Sequence, residues 1–583
     1  MNPPLKILLV GGYGTFGGRI VELLEDEPRL TLIVAGRSLA KAQAYCRARP
    51  AAKSTLAAAT FDRDGDVITQ LRVLKPDILV DASGPFQAYG ERPYRLIEAC
   101  IAAGVSYLDL ADGSAFVAGV TAFDAPARKA GIFVLSGVSS FPVLTAAVVR
   151  RLSSDMACVE AIRGGIAPSP YAGVGENVIR AIAGYAGQRI PLKKDGESTT
   201  GRPFTEHMRY TIAPAGRVPL NNTLFSLVDV PDLDALTRLW PEARTVWMGA
   251  GPVPEILHRV LSGCAWLVRM GVLRSLSFLA PLMHAATNHI RWGEHRGGMF
   301  VAVEGISSGG APLERSWHLL AEGSDGPLIP SMAVEAIVRR LLAGEAPKHG
   351  ARAAVEELEL EAYEALFLHR TIYTAVRDDG ARYNGPLYAR MLGEKWQALP
   401  KPIRDMHDVD AKLVAMGRAK VQRGNGLLSR LAGAVIGFPQ AADDIPVRVA
   451  FEARDGVETW TRTFGSDSFS SLQFAGRGRS DALLIERFGM MSFAMALVLD
   501  GDRLRLELRH WTVLGIPLPL LLAPRSNAYE SVEDDRFAFH VEISHALTGR
   551  IVRYTGWLDI VEPCAAHGLQ QAEIGAAPAA KVR

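Results

Sequence analysis

The sequence predicts an α/β protein with an N-terminal Rossmann-type, doubly wound parallel sheet, an α+β second domain and a β-rich antiparallel C-terminal domain. Three observations carry this reading. Over the first 140 residues, short runs that are apolar throughout alternate with segments of helical periodicity. Such runs mark strands buried on both faces beneath helices. A glycine cluster, Gly12-Tyr13-Gly14-Thr15-Phe16-Gly17, stands between the first of these runs and the first helical segment. From Val447 onward strand-like segments follow one another, divided by turn pairs such as Asp455-Gly456 and Asp500-Gly501, the texture of a barrel or curved antiparallel sheet.

Taken in order, Lys6–Val10 reads as an apolar strand, Phe16–Glu25 as a helix, Leu30–Ala35 as a strand and Leu39–Arg49 as a helix. Ala57–Phe61, Ile78–Ala82, Val105–Leu110 and Ile132–Leu135 continue the strands; Val67–Leu74, Tyr94–Ala103 and Ala122–Ala130 supply helices between them. Residues 146–378 change texture. Alternating segments at Met299–Gly305 and Trp317–Ala321 mix with helices such as Val334–Leu342, which Gly344 stops, and Lys193–Thr200 reads as a polar loop. In the last third, strands are expected at Val447–Ala453, Thr459–Phe464, Ser470–Phe474, Leu483–Phe488, Ser492–Leu499, Arg503–Leu508, Arg536–Ile543 and Arg550–Ile560. The predicted domains are 1–145, 146–378 and 379–563, with a frayed tail over 564–583.

Hydrophobic residues make up 48% of the 583 and charged residues 22%, a balance that excludes wholesale disorder. Lys+Arg is 64 against Asp+Glu 62, so no strong basic field marks a nucleic-acid partner. Cys46, Cys100, Cys158, Cys264 and Cys564 are dispersed and form no CxxC, which argues against a disulfide framework or a zinc cluster and for a reducing, cytoplasmic setting. No HExxH or Cys/His group points to a metal. Residues 256–288 are rich in Leu, Val, Trp and Met, but Arg259, Arg269 and Arg274 interrupt them. They fall short of the roughly 18 uncharged apolar residues of a spanning helix. Two readings stand for this stretch: a pair of buried helices, or a peripheral membrane contact or greasy substrate channel over 256–283, which would set the protein at the inner face of the membrane.

The glycine cluster matches G-x-G-x-x-G in strand–turn–helix context, the pattern of a dinucleotide phosphate site. In that pattern Gly12 makes the tight turn, Gly14 lets a pyrophosphate approach the backbone, and Gly17 lets helix and strand pack closely. Thr15 and Phe16 open the helix, whose free N–H groups favour phosphate. Arg37 and Ser38 follow the second strand, 20 residues after Gly17, where an NAD-specific fold places a carboxylate. A guanidinium and a hydroxyl suit a 2′-phosphate, so the cofactor read here is NADP(H). Asp62, after the third strand, is either an adenine neighbour or a turn former. Ser83, Gly84 and Pro85 end the fourth strand with residues small enough for a cofactor to lie across them.

These pieces together resemble the saccharopine dehydrogenase-like oxidoreductases. The segments that carry the resemblance are GGYGTFG at 11–17, AGRS at 35–38, VDASGPF at 80–86, Ala99-Cys100, Tyr107-Leu108-Asp109-Leu110 and LSGVSSFP at 135–142. The resemblance implies a Rossmann domain, NAD(P) binding and a separate substrate domain; it names no substrate, because the family spans amino-acid, polyamine and lipid chemistry. Relatives often read Tyr-x-Asp-x-x-Gly-Glu, and here Asp112-Gly113 replaces the end of that motif. Residues 383–562 resemble an uncharacterised domain that follows such modules in bacteria, on Leu387-Tyr388, Trp396, His407, Trp460, Glu486-Arg487-Phe488-Gly489 and Tyr554-Thr555-Gly556-Trp557, among others.

A reductase needs a proton donor beside the acceptor atom. Tyr107, Asp109 and Asp112 leave the fifth strand at its carboxyl end and are the catalytic candidates; Ser139 and Ser140 leave the sixth, Ser140 as a helix cap. No Tyr-x-x-x-Lys pair follows these strands, which weakens a short-chain dehydrogenase reading. The function read from the sequence is NADPH-dependent hydride transfer to a C=O, C=N or C=C bond of a small molecule, apolar or lipid-like in view of residues 256–283, in a chain that forms a homodimer. The alternatives are a non-catalytic NADP(H)-binding sensor or scaffold, and a lipid-binding protein acting through its C-terminal domain. In that domain Trp460, Arg462, Glu486, Arg487, His510, Trp511 and Trp557 either line a cup or build core.

Overall fold

The computed structural model describes residues 4–173, 175–252, 254–290, 292–378 and 385–561. The chain divides into two compact units: 1–214 with 219–382, and 383–583 with 215–218. The Asp379-Gly380 turn and the tail from Cys564 lie outside the described residues.

The first unit begins with β1 (Leu5–Val10), α1 (Thr15–Leu24), β2 (Leu30–Gly36), α2 (Leu39–Arg47), β3 (Thr55–Thr60), α3 (Val67–Leu74), β4 (Ile78–Asp81), α4 (Arg95–Ala103), β5 (Ser106–Asp109), α5 (Ser114–Gly119), α6 (Asp124–Ala130), β6 (Phe133–Ser136) and α7 (Thr145–Leu152). All strands pair in parallel in the order β6-β5-β4-β1-β2-β3. The strands read apolar throughout because both faces are covered. Ile7, Leu9, Leu32, Val34, Ile78 and Val80 pack into one cluster. Leu8, Val10, Ile33, Ala35 and Leu79, the alternate positions, pack into another. Local signals set the helix ends. Ser38 caps α2 by accepting from the Lys41 amide, Asp66 caps α3 through Thr69, and left-handed Gly104 and Gly131 stop α4 and α6.

A seventh strand, Gly350–Ala353, extends this sheet in parallel beside β6 from more than 200 residues downstream. Nothing in GARA announces a strand; the Asp124 carboxylate, which takes the Ala351 amide at 3.0 Å, helps to hold it there.

The second sheet of this unit has seven strands. In order they are His207–Ile212, Leu220–Leu227, Thr245–Ala250, β7 (Met156–Ala167), Gly297–Ser307, Pro312–Ala321 and Ile372–Asp378. It is antiparallel except where β7 meets Thr245–Ala250. Helices α8 (Glu176–Tyr185), α9 (Asp232–Leu239), α10 (Glu255–Arg269) and α11 (Ala280–His289) accompany it. The expected polar loop at Lys193–Thr200 is instead a hairpin, Ile190–Lys194 against Glu197–Gly201. Its turn, Asp195-Gly196, has φ of 54° and 90° at its two residues, the backbone a two-residue hairpin turn requires.

The C-terminal unit is an antiparallel barrel. Its eleven-stranded sheet closes on itself where Met491–Asp500 pairs with Arg503–Val513, and the short strand Ile516–Leu518 hangs beside that seam. Strands Lys412–Arg423 and Arg525–Glu533 join those expected from the sequence. The second of these is too polar to read as a strand, and it turns into its partner at Asp534-Asp535, both left-handed. The barrel's inner residues pack with the helical segment 387–407. The Tyr388 ring stacks on His407 at 3.7 Å, and Trp460 joins the stack. Of the expected cup residues, Trp460 packs in this core, and Arg462 and Glu486 pair with each other at 3.0 Å. Arg487 and Trp557 fall one residue out of phase with the inward-facing positions. No helix among the described residues is long and apolar enough to cross a membrane.

Candidate active site

A cavity of about 2090 Å³ lies in the first unit, at the carboxyl ends of the parallel strands. Ligands bind at this edge in doubly wound sheets, because the loops that leave the strands collect there.

The glycine turn forms one end of it. The left-handed residue of the turn is Gly11, at φ +77°, one position before Gly12. Gly12 is needed for space, since a Cβ there would come within 2.9 Å of the Leu9 carbonyl oxygen. A Cβ on Gly17 would sit 2.3 Å from the Gly11 carbonyl oxygen, so only glycine lets α1 approach the turn. Gly14, Thr15 and Phe16 line the cavity, and no side chain caps α1. The first-turn N–H groups therefore face open space, with the positive end of the helix dipole behind them.

Arg37 stands at the end of β2, exposed and lining the cavity, with no hydrogen bond or ion pair among the described residues. Ser38 does not line it; its hydroxyl caps α2, and its amide donates to the Tyr13 hydroxyl at 3.1 Å. Tyr13 lies against Gly36, where a Cβ would come 2.5 Å from the phenol oxygen. Tyr13 thus ties the glycine turn to the loop that carries Arg37, a link the sequence reading missed; the absence of a side chain at position 36 was its only trace. Asp62 lines the cavity and also makes a turn, accepting from the Asp64 amide at 3.1 Å. Beside it Arg63 donates to Ser83 Oγ at 3.1 Å and lies over the Tyr89 ring.

Ser83, Gly84 and Pro85 line the centre of the cavity. Ser83 is held by Asp81, whose fully buried carboxylate accepts its hydroxyl at 2.6 Å and that of Tyr89 at 2.9 Å. Asn177 of α8 donates to the Gly84 carbonyl at 2.7 Å.

The structure separates the three expected catalytic residues. Tyr107 and Asp109 are fully buried and do not border the cavity. Tyr107 points its hydroxyl at Asp81, 3.5 Å away. Asp109 accepts from the Ala111 amide at 2.9 Å, the Gly137 amide at 2.8 Å and the Ser136 hydroxyl at 3.0 Å, joining the ends of β5 and β6. Strand alternation turns both into the sheet's packing. The catalytic reading expected both to border the site, and the structure instead buries both behind its lining.

Asp112 does line the cavity and accepts from Gln87 Nε2 at 3.2 Å. Two further acids face the same space. Asp229 follows Leu220–Leu227 and takes the Ser114 hydroxyl, and Tyr185 ends α8. Burial raises the pKa of Asp112 and of Asp229, and each carboxylate adds its charge to the burial that lifts the Tyr185 phenol well above its ordinary range. The three are thus in electrostatic contact and biased toward their protonated forms. Sequence reasoning missed Asp229 and Tyr185 because neither stands in a motif. Ser139 and Ser140 also line the cavity; Ser140 offers its carbonyl to Thr145 and does not cap through its side chain.

Helices α8, α10 and α11 add apolar lining, Ile179 and Ile182 of α8, Leu257, Val260 and Leu261 of α10, and Met283 of α11, interspersed with the polar Asn177, Arg180 and His258.

The fold and site define a class: a dinucleotide-binding fold, in which a glycine-cradled helix terminus meets a cavity lined by half-buried acids. Residues 7–135 match the saccharopine dehydrogenase NADP binding domain, and residues 399–558 match a domain of unknown function. The N-terminal domain is therefore an NADP-binding domain of saccharopine dehydrogenase type. No curated protein matches the chain in sequence. Among solved structures, apo saccharopine dehydrogenase (L-Glu forming) from Saccharomyces cerevisiae is 15% identical over 64% of this chain and 99% of its own, with a TM-score of 0.47. A meso-dapdh variant from Clostridium tetani is 15% identical over 61% of this chain and 95% of its own, with a TM-score of 0.31. The WlbA (WbpB) dehydrogenase from Thermus thermophilus, in complex with NAD and UDP-GlcNAcA, is 13% identical over 59% and 90%, with a TM-score of 0.27.

Proposed function

We propose that the protein is an NADPH-dependent reductase of a C=O, C=N or C=C bond in an apolar, lipid-like substrate. One observation carries this reading: the bare α1 terminus, the unpaired Arg37 guanidinium and the acids Asp112, Asp229 and Tyr185 all open into a single cavity to which α8, α10 and α11 add apolar side chains. When bound, the nicotinamide supplies or accepts hydride. Gly11, Gly14 and the first-turn amides of α1 hold the pyrophosphate, and Arg37 pairs with the 2′-phosphate. Ser83–Pro85 lie beneath the ribose–nicotinamide half. Asp112, closest in sequence to the end of β5, gives its proton to the substrate atom that becomes electron-rich as hydride arrives at its neighbour, and Asp229 and Tyr185 keep that proton in place. The wall formed by α8, α10 and α11 takes the substrate's apolar body and excludes water from the site.

The test is a titration of purified protein with NADPH and NADH, for wild type and Arg37→Ala. The expected outcome is at least about tenfold tighter binding of NADPH, with most of that ratio removed by the substitution; tenfold is about 1.4 kcal/mol, the scale of one charge-assisted contact. Equal affinities for the two nucleotides would sink the assignment of Arg37, and no binding below millimolar would sink the reading as a whole.

A further inference from the structure

Helix α10 carries apolar side chains on its exposed face as well as on its buried one. His258, Ser262, Ala265 and Val268 are buried on one face. On the opposite face Ile256, Val260 and Leu267, spaced as one helical stripe that continues to Met270, are 60%, 60%, 38% and 62% exposed. A surface helix of a globular protein keeps that stripe polar. Phe278 and Trp292 continue the surface at 67% and 68% exposure. Among the described residues, ten of the sixteen exposed large hydrophobic side chains of the first unit fall between Ile256 and Trp292. A concentration of this kind marks an interaction site and not a chance scatter.

Charge says what covers it. From Ile256 to Ile290 the sequence holds Arg259, Arg269 and Arg274 and no Asp or Glu. Glu255, at the edge of this stretch, is already paired with Arg209 and Arg259. The Arg269 guanidinium lies over the Trp266 ring at 4.4 Å, an aromatic–cation pair suited to the headgroup level of a bilayer. The cavity opens on the same face: Val260, Leu282 and Ile290 both line it and are 60%, 66% and 42% exposed.

We infer that the α10–α11 face docks on an anionic phospholipid bilayer, with its apolar stripe in the acyl boundary and its arginines at the headgroups. The cavity mouth then meets the membrane, and an apolar substrate passes from the bilayer to the acids without crossing water. The route to the acids rests on the reductase reading above; the docking surface itself does not.

The experiment is flotation of the full chain with vesicles of phosphatidylcholine alone and of phosphatidylcholine with about 30 mol % phosphatidylglycerol, at low and high salt. Wild type is compared with Met270→Asp/Phe278→Asp, two residues that do not line the cavity. Leu521→Asp, an 86% exposed leucine of the C-terminal unit, serves as control. The expected result is binding to the anionic vesicles that weakens with salt, falls at least about tenfold in the double variant and persists in the control. NADPH titration of each variant shows that the fold survives, and it separates failure of the docking face from failure of the reductase reading. Absence of flotation on anionic vesicles overturns the proposal, as does its loss in Leu521→Asp alone. A wild-type dimer that the double variant converts to monomer also overturns it, since the face would then be covered by a second copy of the chain.

Discussion

The two units enclose polar groups in opposite ways. The parallel sheet of the first unit leaves a cavity of about 2090 Å³ at its carboxyl edge, and an arginine and several acids open into it. The barrel of the second unit closes its strands and packs its own helical segment among their inner side chains. Its polar groups answer one another there: His407 with Glu530 at 2.7 Å, Tyr388 with Gln473 at 2.9 Å, Arg462 with Glu486 at 3.0 Å. A buried polar group that already has a partner stabilises a fold, whereas one aimed into space is available to a ligand.

The largest expected effect breaks the first unit's side of this comparison. Gly17→Val places side-chain atoms against the Gly11 carbonyl, where even a Cβ would be only 2.3 Å away. NADPH affinity, followed by fluorescence titration, should fall at least about a hundredfold. An unchanged affinity would mean that the helix start is not the phosphate site.

Tyr388→Ala tests the other side. It removes the ring stacked on His407 and strands Gln473, and should destabilise the C-terminal unit by ~3–5 kcal/mol in denaturant melts. NADPH binding should stay within about twofold. A variant of wild-type stability would show that the segment 387–407 does not support the barrel.

A smaller effect sharpens the choice among the acids. Asp112→Asn keeps an acceptor for Gln87 but has no carboxyl proton to give. With any long-chain carbonyl, imine or enoyl acceptor that wild type reduces, turnover should fall by about 10²-fold or more while NADPH affinity holds. Wild-type turnover should be lost as pH rises through the raised pKa of Asp112, since the acid form is the active one. Full activity in the variant would transfer the donor role to Asp229 or Tyr185.

The smallest effect concerns Asp109, whose pKa burial lifts to about 7. An unfolded carboxyl titrates near 3.9, on the order of three units lower. Between those values the folded chain keeps a proton that the unfolded chain has released. The associated stability is therefore full below about pH 4 and is lost as pH rises through about 7. Between pH 5 and 8 the Tm of wild type should fall by a few degrees relative to Asp109→Asn. A constant gap would mean that the Asp109 carboxyl is ionised throughout this range.

Much of the first unit was legible in the sequence. Apolar runs fixed β1 through β6 within a residue or two, because a strand covered on both faces leaves no polar phase to confuse the pattern. The last strand of that sheet, Gly350–Ala353, was not legible, since its pairing depends on β6 and Asp124 far away in the chain. In the site, spacing along a strand–turn–helix unit picked out Gly14, Arg37 and Ser83–Pro85, all of which line the cavity. Tyr107 and Asp109 were misjudged by the same means: a position near a strand's end does not say on which side of the sheet a side chain emerges.

The sequence by itself determined the dinucleotide turn, the cation that replaces a carboxylate after β2, and the presence of an apolar stretch at 256–283, since each is a matter of residue type at short range. Only the tertiary structure decided that Asp112, Asp229 and Tyr185 line one cavity, that the barrel's strands close over Tyr388 and His407, and that α10 turns an apolar stripe outward. These depend on contacts between residues tens to more than a hundred positions apart, and local periodicity carries no information about which distant partner a side chain will face.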